Sequence, residues 1–168
     1  MNDYGYLAIQ FSMAIAAYLL IYRTYLQPWL REQTFEAAVT PFLMVHIFRY
    51  LGLALLVTGQ VDPAVSRDAL GIMAYGDLAS GISALVAVVA ITVGSRFVVP
   101  LVVLFSIVGI ADLITIGPTA LNAGVVISPI GTMWFFLVIF APILLLSHFY
   151  ILVRLFGHFR GSARPAMR

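Results

Sequence analysis

Five long apolar runs, separated by short clusters of polar, glycine and proline residues, make up most of the chain. Each run holds roughly the 20 residues that a helix needs to cross a bilayer. The pattern predicts helices over about 4–26, 40–59, 69–93, 97–116 and 132–156. The first is expected to stop at Gln27-Pro28-Trp29, where a proline meets an interfacial aromatic. A short amphipathic linker with Arg31, Glu32 and Glu36 follows. Thr40-Pro41 reads as an N-cap and first helical position for the second helix, which ends near Gly59. Gly94-Ser95-Arg96 turns the third helix directly into the fourth, so those two are expected to be neighbours. The stretch Gly117 to Gly131, with its prolines, glycines and Asn122, reads as a loop, and Pro142 is expected to kink the fifth helix.

Composition supports the bilayer reading. The chain is 62% hydrophobic and 10% charged, with a mean hydropathy of +1.06, whereas soluble domains run near 25% charged. So little polar surface does not cover a water-facing globule. The fold expected is an all-α membrane protein, a five-transmembrane-helix bundle forming one domain over 1–168. Asp3 precedes the first apolar run and no basic residue occurs before Arg23, so that run is expected to be a retained helix rather than a signal peptide.

Arginine placement orients the bundle. Arg23, Arg31, Arg96, Arg154, Arg160, Arg164 and Arg168 fall on one side of the predicted spans and Arg67 on the other. The arginine-rich side is expected to be cytoplasmic, with the N-terminus outside, the C-terminus in the cytoplasm and the inner membrane as location. The basic tail suits contact with anionic lipid heads and is too small for nucleic-acid binding.

The residues that are missing narrow the chemistry. With no cysteine, the chain has no disulfide, thiolate metal site or cysteine nucleophile, and with no lysine it forms no Schiff base. HExxH, GxSxG, P-loop and GxGxxG motifs are missing too, and no catalytic or metal site is expected.

Candidate chemistry therefore rests on ionisable residues at bilayer depth: His46, Arg49, Asp77, Asp112 and His148. Such groups cost about 2.5 to 3.5 kcal/mol each at a helix centre and normally face the bundle interior with a partner. At about 1.5 Å per residue, Asp112 lies about 8 Å from the outer end of its helix, Asp77 about 12 Å and Arg49 about 15 Å. Arg49 is expected to sit between the two aspartates, with Gln10 at a compatible depth. Asp77 shares a face with Ser80, Gly81 and Ala84, while Gly109 and Thr115 flank Asp112, so small residues let the helices approach. One reading of this cluster is an ion-pair network that fixes helix register. The other follows from charge. Two carboxylates around one guanidinium leave a spare negative charge, so one aspartate is expected to hold a proton or meet a cationic or hydrogen-bond-donating ligand. Asp112, nearer the surface, is the expected ligand-facing residue and Asp77 the structural one.

His46, Arg49 and Tyr50 are expected on one stripe of the second helix. His46 and His148 lie about 9 and 12 Å from the inner ends of their helices, a match in depth that suits two axial ligands of a b-type haem or, equally, hydrogen-bonded core histidines. The first expectation is a protein that binds or moves a small molecule, lipid or proton through a polar cavity in the outer half, lined by Gln10, Arg49, Asp77 and Asp112. The second is a non-catalytic accessory subunit that docks another membrane protein through the small-residue face of the third helix; a homo-oligomer is a further partner state that the sequence leaves open. The third is a haem-bearing electron-transfer subunit using His46 and His148.

Overall fold

The computed structural model describes residues 2–162, so Arg164 and Arg168 lie outside the described residues. The fold is all-helical, and among the described residues five helices are long and apolar enough to cross a membrane: α1 (Asp3–Arg31), α2 (Phe35–Leu56), α3 (Arg67–Thr92), α4 (Val98–Asn122) and α5 (Met133–Gly161). α3 packs against α2 and α4, α5 packs against α2, α4 and α1, and α1 rests on the outside of α5.

Several boundaries differ from those the sequence suggests. α1 runs through Pro28 to Arg31, because a π-helical turn over Tyr22–Leu26 absorbs the hydrogen bond that the proline cannot make. Pro142 is handled in the same way. A π turn over Phe136–Phe140 precedes it, and the Tyr18 hydroxyl donates to the Ile139 carbonyl at 3.0 Å. α2 starts at Phe35 rather than Thr40, since Thr34 caps it through the Ala37 amide, and Thr40 turns its hydroxyl onto the Glu36 carbonyl. α4 continues through Pro118 to Asn122, so the apolar segment after Gly117 is mostly helix. The expected hairpin between α3 and α4 is present, with Gly94 at φ +63°.

The outer half of α2 changes character after Ile47 and becomes a 3₁₀ helix over Phe48–Leu56. Three residues per turn place Arg49, Gly52 and Leu55 on one line, and all three are buried. The same tightening swings Tyr50 outward, where it is exposed rather than sharing the stripe of His46 and Arg49.

Contacts at the two ends of the bundle fix the pairing of the connections. Arg154 on α5 donates to the Gln33 and Thr34 carbonyls at 3.1 and 3.3 Å, tying the α1–α2 turn to the arginine-rich end. At the opposite end the Asp62 amide donates to the Pro129 carbonyl at 3.0 Å, and Gln60 donates to Thr132 Oγ1 at 2.7 Å. Gly131 lies against Gln60 at φ +53°, a backbone conformation and a closeness that suit glycine.

Two apolar cores fill the bundle. One, toward the arginine-rich end, centres on Leu43, Val102, Phe105 and Ile151, all fully buried. The other, at the loop end, includes Leu55, Met73, Val125, Ile130 and Met133. The polar side chains lie between them.

Candidate functional site

Burying a guanidinium in an apolar bundle demands carboxylate partners, and the helices supply two. Arg49 is 1% exposed and donates from Nε to Asp77 Oδ1 at 2.8 Å and from Nη2 to Asp112 Oδ2. Arg49, Asp77 and Asp112 are thus brought together from α2, α3 and α4 as their depths suggest. Among the described residues Nη1 of Arg49 has no partner.

Glycines make room for the cluster. A Cβ on Gly52 would collide with the Asp77 carboxylate, and one on Gly76 would collide with Asp112. A Cβ on Gly81 would lie 3.1 Å from the Ile47 carbonyl, where α2 and α3 approach backbone to backbone. Asp77, Ser80, Gly81 and Ala84 are buried inside the bundle, where the small-residue face of α3 packs against its neighbouring helices.

One turn toward the arginine-rich end lies a second polar layer of His46, Ser80, Ser147 and His148, all buried. Ser147 Oγ stands 3.0 Å from His46 Nε2 and 3.1 Å from the Leu144 carbonyl, so its hydroxyl links the imidazole of α2 to the backbone of α5. The rings of His46, His148 and Phe105 form a triangle with sides of 5.4, 4.8 and 5.2 Å. Each ring touches the other two, and His46 has its Nε2 on Ser147. Among the described residues both ring nitrogens of His148 and Nδ1 of His46 fall outside hydrogen-bond geometry. The sequence did not suggest the pairing of Ser147 with His46. Ser147 stands beside His148 in the chain, and its partner is 101 residues away.

Above the ion cluster, toward the loop end, lies a partly open cavity of about 360 Å³ lined by α1, α2, α3, α4, α5 and the Val125–Ile127 turn. Arg49 and Asp77 are the charged residues in its wall, and the remainder is apolar, including Phe11, Leu113, Ile116, Leu137 and Leu145. The cavity is therefore far less polar than the sequence suggests. Asp77, not Asp112, lines it.

Gln10 is placed elsewhere. Its Oε1 accepts from Trp134 Nε1 at 2.7 Å, and it lines a separate open recess of about 420 Å³ with Asp3 and Tyr6. Thr115 is exposed and bonds the Ala111 carbonyl, apart from the cluster.

Comparison with curated proteins and with solved structures finds no match. A family model described as "Domain of unknown function (DUF8737)" matches residues 6–156, from within α1 to within α5. The chain therefore belongs to the DUF8737 family.

Proposed function

We propose that the protein is a multi-pass inner-membrane protein that binds or moves a small, mostly apolar molecule through the cavity walled by Arg49 and Asp77. The supporting observation is the cavity itself: about 360 Å³ of apolar lining with one buried ion pair at its wall. Ligand pockets have this character, a concave apolar surface with few convergent polar groups. Ionisable groups held inside a membrane bundle mark such sites more often than they mark plain packing.

Arginine sidedness orients it. Arg23, Arg31, Arg96, Arg154 and Arg160 gather at one end and Arg67 stands at the other, so the first end is cytoplasmic and the cavity lies in the outer half.

Native mass spectrometry of the chain released from mild micelles tests the reading. Wild type is expected to carry a small-molecule adduct, and Ala120→Phe, which fills the cavity from α4 without touching the ion pair, is expected to lose it. Equal adducts in both proteins, or none in wild type, would count against the cavity as a binding site.

A further inference from the structure

The wall of the cavity also restricts the head group of whatever it holds, given the binding role proposed above. Arg49 gives Nε to Asp77 and Nη2 to Asp112 and keeps Nη1 unpartnered, although the residue is 99% buried. Asp77 takes Arg49 on Oδ1, which leaves Oδ2 as an acceptor. Arg49 and Asp77 both line the cavity, so the ion pair in its wall keeps an acceptor free on Asp77 Oδ2, with the unpartnered Nη1 of Arg49 buried behind it.

Charge adds a second restriction. One guanidinium stands between two carboxylates, and α1, α4 and α5 bring no charged side chain to the lining, so the wall carries no excess positive charge. An anionic head would place a third negative charge beside this group in a medium of low dielectric. A hydroxyl would donate to Asp77 Oδ2. An ammonium would donate to Asp77 and offset the spare negative charge. The apolar lining, from Phe11 across to Leu113 and Leu145, takes up hydrocarbon with either head.

We propose that the cavity selects apolar molecules with a hydrogen-bond-donating head, a hydroxyl or an ammonium, and rejects carboxylates and phosphates.

Three probes of one chain length test this on the full chain in neutral maltoside micelles: decan-1-ol, decylamine and decanoate, with bound probe counted by native mass spectrometry. Binding that Ala120→Phe removes is taken as cavity binding. Decan-1-ol and decylamine are expected to bind, with decanoate weaker by about tenfold or more, because like charges in a binding site are disfavoured. Asp77→Asn is expected to abolish the advantage of decylamine over decanoate. If that variant does not fold, the comparison of heads in wild type still decides. Decanoate binding as well as the other two would overturn the head-group rule while leaving the cavity intact. Failure of all three probes to bind would overturn the cavity reading itself.

Discussion

A Cβ built on Gly109 would lie 2.6 Å from Cε1 of His148 and 3.1 Å from its Nδ1, so α4 and α5 meet at a position that only glycine fills without a shift. Gly109→Ala is expected to push the imidazole out of its triangle with His46 and Phe105. Overpacking of this kind costs about 1–3 kcal/mol. Gly117→Ala, with nothing within 4 Å of the added methyl, is the matched control and is expected to change stability by less than about 0.5 kcal/mol. Unfolding in mixed micelles measures both. Equal effects would mean that the close approach is not a constraint.

Arg49→Ala is expected to destabilise the fold more than Asp77→Asn or Asp112→Asn alone. Removing the shared cation strands two buried carboxylates, and breaking such a pair costs about 3–5 kcal/mol. Each asparagine variant keeps the guanidinium paired with the remaining aspartate. Unchanged thermal stability of Arg49→Ala in detergent would contradict the cluster.

Ser147→Ala removes the partner of His46 Nε2 at a buried position. A buried polar group left unsatisfied costs about 1–3 kcal/mol, and a loss in that range is expected. Ser106→Ala, which removes only a hydroxyl bonded to its own helix at the Val102 carbonyl, is expected to cost less. The reverse order would show that the Ser147–His46 contact contributes little.

The helix count, the α3–α4 hairpin and the meeting of Arg49 with both aspartates were legible in the sequence. Apolar length sets the number of spans, and the cost of a buried charge forces Arg49 to find carboxylates at its depth. Azimuth was not legible. Gln10 and Arg49 have compatible depths, yet Gln10 faces Trp134, because rotation about a helix axis is fixed by packing that spacing alone does not reveal. The exposure of Tyr50 follows from the 3₁₀ winding after Ile47, which α-helical spacing does not anticipate, and the choice of Asp77 over Asp112 at the cavity is again a matter of azimuth. Pro28 and Pro118 misled the boundaries in the opposite sense, since both helices run on past a residue that usually ends one.

Orientation is checked by reporters. A reporter fused after Arg168 is expected to be active only in the cytoplasm, and one inserted near Pro63 only outside, as the arginine bias requires. Opposite activity at both sites would invert the bundle and move the cavity to the cytoplasmic half.

The chain contains no cysteine, so a single introduced thiol reports on one place alone. The most direct measurement is the rate at which N-ethylmaleimide modifies Ala120→Cys in the cavity wall, with and without decan-1-ol, against Ala64→Cys in the exposed loop before α3. Occupancy of the cavity predicts that decan-1-ol slows modification at position 120 and leaves position 64 unchanged. Equal rates at position 120 with and without the alcohol, or equal slowing at both positions, would contradict a binding cavity at Arg49 and Asp77.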